Sequence, residues 1–383
     1  MGTLGSGTDR LALTSRIDFH SHPIGAVPCH QENVMPTIDS DAHVIETMET
    51  WRYLQENEQA YMPQVVSRTE GLDELNVDGK VKRNYWVVNK RIHDKEQNLS
   101  FDVPEESREM RDVQARIAHM DELGIDVQIL FPTLMLRPIA DRAAVEFALI
   151  RSYNRWLADI WRQGNGRLRW VAAPPILSLE NARGELEFAK ENGACGIFMR
   201  SLENERPISD PYFYPLYDIA GDLDLPISIH LGNGSFMVHE FYDHDSTFSK
   251  FKLPTIAAFH SLVMHETPSK FPKVRWGIIE ACANWLPYVL QDLRERFDRR
   301  GKELPDDILG ENNLYVTCEV TDDLPYVMKA AGTDNLIIGT DYGHSDSATE
   351  IKALRLLRDK KDIGPEIVDK ILWHNPSRYY GLG

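Results

Sequence analysis

Cysteine is scarce in this sequence: four occur among 383 residues, and Cys29, Cys195, Cys282 and Cys318 include no C-x-x-C pair. That spacing excludes the common cysteine-based zinc clips and thiol-redox motifs. Three of the four sit in or beside apolar strand-like runs, the setting of buried, reduced thiols, so a cytoplasmic protein is expected. Positive charge is also short, with 42 Lys+Arg against 59 Asp+Glu and a formal net charge of −17. Nucleic acid and anionic membranes both require a cationic face, so neither is an expected partner. No apolar run approaches the length of a membrane-spanning helix. Asp9 and Arg10 break what apolar character the first residues have, so no secretory leader is expected either.

What is present is a recurring apolar run. Strand candidates fall at 38–44, 125–131, 168–173, 194–199, 226–231, 274–279, 314–318 and 336–340. Near-continuous apolar runs are what a parallel sheet, buried on both faces, requires. Helical patterns fill the gaps. Val113, Ile117, Met120 and Leu123 share one helical face ahead of Gly124, and Ala182, Leu186 and Ala189 do the same ahead of Gly193. Eight strand–helix alternations predict an α/β fold of the (β/α)8 TIM-barrel class. An open doubly wound sheet is the competing arrangement, but no glycine-rich phosphate loop follows the first strand.

Two segments stand outside the repeat. Residues 1–34 are Gly/Ser/Thr-rich and are taken as an N-terminal extension, leaving 35–383 as the barrel domain. Residues 51–111 exceed what one barrel helix needs and contain NYWVVNKR (84–91), a candidate hairpin. Because this insertion follows the first strand, it is expected over the catalytic face, as a lid, a substrate-binding elaboration or an oligomer contact.

Barrel enzymes carry their chemistry at the C-terminal ends of the strands. Those ends here include Asp41, His43, Arg200, His230, Glu280, Glu319 and Asp341. Buried strands rarely end in so many ionisable groups unless these converge on a cation and a polar substrate. Asp41 and His43 are i and i+2 of one strand, so both side chains can face the barrel axis. With His230 and Asp341 they make a mixed nitrogen and oxygen donor set suited to Zn²⁺, Mn²⁺ or Fe²⁺. Glu280 is a candidate acid/base or substrate-orienting group, or else a buried carboxylate paired with Arg200. Arg200 could clamp a substrate carboxylate, His344 could touch substrate or cap its loop, and Glu319 lines the same mouth.

Several stretches together, IDSDAHVIE, ARIAHMDELGIDVQILFPT, SDPYFYPLYDIAGDLDLPISIHLGNGS, FPKVRWGIIEACANWLPYVLQDL, DNLIIGTDYGHSD and the closing NPSRYYGL, carry a resemblance. They resemble the amidohydrolase superfamily, in the branch holding aminocarboxymuconate-semialdehyde decarboxylase and related metal-dependent hydrolases. The resemblance implies metal ligands at Asp41, His43, His230 and Asp341, a proton-shuttling role for Asp341, and a homodimer. Strand four ends in Met199-Arg200 where the binuclear members of the superfamily have a bridging lysine, so the resemblance implies one divalent ion. After strand six the decarboxylases have a histidine, and this chain has Glu280. On that difference, the expected reaction is attack of metal-activated water on an acyl bond (amide, ester or thioester) of a small acid or aromatic substrate. Non-oxidative decarboxylation of an aromatic or unsaturated acid is the alternative, and metal-assisted cyclisation of an acyl-aryl intermediate a minor one. Asp18, His20 and His22 form a second D-x-H-x-H run that mimics the first-strand motif, and the later one at Asp41 is preferred.

Overall fold

The structure, a computed structural model, describes residues 35–70, 81–95, 98–242 and 247–382. The Asp18, His20 and His22 run and Cys29 lie outside the described residues. Eight parallel strands form one sheet in chain order: β1 Ile38–Val44, β2 Val127–Pro132, β3 Leu168–Ala172, β4 Ala194–Arg200, β5 Ile227–His230, β6 Trp276–Ile279, β7 Leu314–Cys318 and β8 Leu336–Ile338. The sheet closes on itself where β8 returns to β1. There Ala42 bridges Tyr342 in parallel, the Asp341 amide donates to the Asp41 carbonyl at 2.9 Å, and the His43 amide donates to the Tyr342 carbonyl at 2.8 Å. Closure brings the chain close: a Cβ on Gly339 would lie 2.3 Å from the Asp41 Cβ, so this position has room for glycine alone.

Helices cover the outside, as the apolar periodicity requires. α1 (Val113–Leu123) starts at Asp112, whose carboxylate accepts from the Gln114 and Ala115 amides, and ends at Gly124 with φ 73°. α2 (Ala143–Gln163), α3 (Ala182–Glu191), α4 (Tyr214–Asp222), α5 (Leu253–Met264), α6 (Leu286–Arg299) and α7 (Leu324–Ala331) occupy the later connections. β1 is buried at all seven positions, so its charged side chains enter the barrel interior rather than solvent.

A chain of buried polar groups ties β1, β2, α1 and the β8 exit together. Asp39 accepts from Gln128 Nε2 at 2.9 Å, Thr340 Oγ1 at 2.6 Å and the Thr340 amide at 2.9 Å. Gln128 in turn accepts from Arg116 Nε at 2.7 Å, and the Arg116 guanidinium stacks 3.5 Å over the Tyr342 ring. Each buried charge is thereby hydrogen-bonded, which is the condition for tolerating it.

The insertion after β1 carries a three-stranded antiparallel sheet of Gln64–Glu70, Val81–Val88 and Arg91–Asp94. The expected hairpin is its second half, turning at Asn89 and Lys90 with φ 44° and 70°, the backbone of a type I′ turn. Trp86 packs edge to face on Trp51, 6.1 Å between centroids, and anchors the sheet to the barrel. Beyond it the chain pairs with the loop after β8. The Ser100 amide donates to the Gly343 carbonyl at 3.0 Å and the Ser345 amide to the Asn98 carbonyl at 2.7 Å. The insertion therefore sits on the face where the strands end.

Candidate metal centre and mouth of the barrel

His43 and His230 end β1 and β5 on opposite sides of the barrel axis, both wholly buried. His43 Nδ1 lies 3.0 Å from the Pro132 carbonyl, which fixes its proton there and leaves Nε2 as a lone pair. His230 Nδ1 lies 3.2 Å from its neighbour's carbonyl at Leu231, with the same consequence, and Glu280 Oε2 stands 3.3 Å away without a hydrogen bond to it. The two Nε2 atoms are 3.1 Å apart. Asp41 Oδ1 is 3.1 Å from His230 Nε2 and 3.5 Å from His43 Nε2, and Asp341 Oδ1 is 3.5 Å from His43 Nε2.

Four acceptors thus converge, with lone pairs aimed at one another. Ligands held about 2.1 Å from one ion at ordinary coordination angles stand roughly 3.0–3.4 Å apart, close to the 3.1–3.5 Å found here. The buried Asp341 Oδ1 and Glu280 Oε2 atoms accept no hydrogen bond. The donor set therefore fits a divalent cation, with two imidazoles and carboxylates suited to Zn²⁺, Mn²⁺ or Fe²⁺. Asp41, His43, His230 and Glu280 form one group able to share an ion, and His43, Asp341 and His344 an overlapping one.

Burial sets the protonation of the surrounding groups. It raises Asp341 and Glu280 well above the usual carboxylate range, helped for Asp341 by the Asp346 charge and for Glu280 by Asp341 and Asp346. Burial alone would raise Asp41 as well, but His230 and His43 beside it hold it well below that range. His43 and His344 are pushed down to about 4, chiefly by burial, and so stand neutral. Asp341 and Glu280 adopt left-handed backbone, φ 52° and 65°, an uncommon conformation that turns their side chains inward at the strand exits.

His344 stacks on His43 with 3.9 Å between ring centroids. Its Nδ1 lies 2.8 Å from Asp341 Oδ1 and its Nε2 3.0 Å from Thr133 Oγ1. Thr349 Oγ1 donates to the other Asp341 oxygen at 2.5 Å. Next to the cluster lies an open cleft lined by Asn98, Thr133, Leu136, Arg137, Phe251, Glu280, His344 and Asp346. Glu319, expected to line the mouth, is not among the residues lining this cleft; it lies 3.9 Å from Lys252 Nζ and is raised in pKa by burial.

One expected site residue is elsewhere. Arg200 does not enter the cluster: its Nε meets both Glu203 oxygens at 3.0 and 3.1 Å, Nη2 pairs with Glu203, and Nη1 donates to the Met135 and Arg137 carbonyls. Nor does it pair with Glu280, which faces His230 instead. The i, i+3 spacing of Arg200 and Glu203 was a readable sign of this pairing. Asp346, Thr349 and Asn98 were not anticipated. Asp346 completes a D-x-x-H-x-D run after β8, whereas Asn98 arrives through a loop with no periodic signal.

Comparisons with known proteins bear on the whole of this arrangement. Similar solved structures include an amidohydrolase from Mycobacterium avium subsp. paratuberculosis K-10, with TM-score 0.74, 18% identity, and 92% of this chain and 99% of that one covered. A dihydroxybenzoic acid decarboxylase from Polaromonas sp. JS666, solved with manganese and 2-nitroresorcinol, matches at TM-score 0.62 and 20% identity, covering 91% and 98%. The 5-carboxyvanillate decarboxylase of Novosphingobium aromaticivorans DSM 12444, solved with manganese and 4-hydroxy-3-methoxy-5-nitrobenzoic acid, matches at TM-score 0.63 and 20% identity, covering 91% and 96%. At these identities the likeness is one of fold. The family model described as amidohydrolase matches residues 17–382, a span that also takes in Asp18, His20 and His22. With nearly the entire sequence inside that match, on a closed barrel whose strand ends gather a metal-ligand set, the chain belongs to the amidohydrolase family.

Proposed function

We propose that this metal-dependent enzyme of the amidohydrolase superfamily is a non-oxidative decarboxylase of a small aromatic or unsaturated carboxylic acid. The observation that carries this reading is geometric: two buried carboxyl groups, Asp341 and Glu280, stand at the strand exits, and the His344 imidazole lies 2.8 Å from Asp341 Oδ1. Decarboxylation needs a proton for the carbon that loses CO2, and a desolvated carboxyl group is a competent donor. The similar structures that are decarboxylases with bound manganese support the same reading. They put it ahead of hydrolysis, the reaction that the change from histidine to Glu280 had favoured.

A divalent ion held by Asp41, His43 and His230, with Glu280 or Asp341 completing the set, would supply Lewis-acid polarisation of a substrate oxygen. The remaining work falls to side chains. Asp341 or Glu280 gives its proton to the carbon bearing the carboxylate. The carbon–carbon bond breaks, its electron pair stays on that carbon in the new C–H bond, and CO2 leaves. The imidazole of His344, 2.8 Å from Asp341 Oδ1 and bonded to Thr133 on its other side, is placed to return a proton from the mouth. Leu136, Leu231 and Phe251 provide apolar walls for a flat ring. A homodimer acting on a small molecule remains the proposed assembly.

Metal-replete protein offered a panel of hydroxybenzoic and unsaturated acids is expected to release CO2, read in the headspace, in amounts equal to the acid consumed. Incorporation of oxygen from ¹⁸O-water into a cleaved acyl product, without CO2, would replace this reading with hydrolysis.

A further inference from the structure

Arg137 has no role in the chemistry above, yet it is the one Lys or Arg among the residues lining the cleft. The other charged walls are Glu280 and Asp346, carboxylates that would repel an anion. Arg137 is partly buried, and burial pulls its pKa below the usual arginine value, an effect that Asp94 of the insertion offsets in part. No hydrogen bond or ion pair to its guanidinium occurs among the described residues. A half-buried guanidinium normally finds a carboxylate, because its five donors are costly to leave without acceptors. Among the described residues this one finds none, and it lines the cleft.

The loop that carries it is held rigidly. Arg200 Nη1 donates to the Met135 and Arg137 carbonyls at 3.1 and 2.6 Å, and the Asn233 amide donates to the Leu136 carbonyl at 3.0 Å. A Cβ on Gly232 would come within 2.9 Å of the Leu136 carbonyl oxygen, so β5's exit and this loop touch backbone to side. A second polar atom nearby also lacks a partner. His93 Nε2, on the third strand of the insertion, is buried without a hydrogen bond, and the Arg137 charge adds to burial in holding that ring neutral. Binding sites are built in this way, with unpaired donors on a braced backbone whose orientation is fixed before the ligand arrives.

We propose that Arg137 forms an anion subsite at the barrel mouth, which takes a second carboxylate of the substrate, distal to the bond that is broken. The inference rests on the decarboxylase reading for what happens at the metal, and it narrows the substrate to dianionic acids of one-ring size. The guanidinium would meet the distal carboxylate through paired N–H donors, while Leu136 and Phe251 flank the ring between the two charged ends.

Two probes separate this subsite from the metal. Benzoate and benzene-1,3-dicarboxylate each offer one carboxylate to the ion, and only the second offers another to Arg137. With the metal-loaded protein, calorimetry is expected to show the dicarboxylate binding about tenfold or more tightly than benzoate, the worth of one charge-assisted pair. Arg137→Gln is expected to remove that preference with metal content unchanged, and Arg137→Lys, which keeps the charge but loses the fork, to restore part of it. The same preference in wild type and Arg137→Gln overturns the subsite, as does its absence from wild type. Arg137-dependent dicarboxylate binding without CO2 release from any acid sinks the decarboxylase reading and leaves the subsite standing. CO2 release indifferent to both the distal carboxylate and Arg137 sinks the subsite alone.

Discussion

At the level of single residues the site is a set of acceptors arranged for a cation. His230→Ala removes one of two imidazole donors and Asp341→Asn removes a carboxylate, while the barrel strands that carry them are held by their own ladders. Both variants are expected to fold, to lose bound metal by elemental analysis, and to lose at least about 100-fold in kcat/KM, the scale seen when a metal site is disabled. Retained metal with full turnover in either would remove that residue from the centre. Asp41, His43, His230, Glu280, Asp341 and His344 were legible in the sequence because each ends a strand or follows one closely, and a charge buried at a strand end seldom serves packing alone. Arg200 was misread for a physical reason. A guanidinium at a strand end is equally suited to a ligand or to a carboxylate of its own chain, and Glu203 claims it. Arg137 could not be read at all, since nothing in a loop's composition shows which way its side chains face.

At the level of elements the strand positions were mostly readable, and the exceptions have causes. β2 starts at Val127 rather than 125 because Gly124 reverses the chain and the Ile125 amide is spent on the Met120 carbonyl. β8 stops at Ile338 because the Thr340 amide turns to Asp41 and Asp39 to close the barrel. The strand Gln64–Glu70 gave no sequence signal beyond that of its hairpin partner. The β4 exit makes a testable brace. Arg200→Met would leave Glu203, 1% exposed, as an unpaired buried charge, and is expected to destabilise by about 3–5 kcal/mol in urea unfolding. Adding Glu203→Gln is expected to recover more than half of that. No recovery would mean that the loss came from the Met135–Arg137 loop rather than from the stranded carboxylate.

At the level of the whole molecule, burial of acids shapes the response to pH. Glu146, inside α2, is raised by burial from 4.5 to about 8 while its Oε2 accepts the Leu177 amide. Below pH 4.5 both folded and unfolded chains hold this proton, so its contribution is then intact. Between 4.5 and 8 the folded chain alone holds it, and stability falls as pH rises, by up to about 1.4 kcal/mol per unit. Glu146→Gln is therefore expected to gain on the wild type progressively from pH 5 to pH 8 in denaturant titrations. A difference constant across that range would show that Glu146 ionises normally. Chelation acts on the same scale. Stripping the ion leaves facing lone pairs in the barrel axis, and restoring it at about 100 times Kd is expected to return roughly 2.7 kcal/mol and a higher Tm. No helix among the described residues is long and apolar enough to cross a membrane.

The stitch between Asn98–Ser100 and Gly343–Ser345 joins the roof of the mouth to the peptide that leads straight out of Asp341. Raising that roof to admit or discharge a molecule pulls on the carboxylate gripping the ion. Product escape and loosening of the metal would then be one event, and an empty, uncovered barrel would be the state from which the cation is most easily lost.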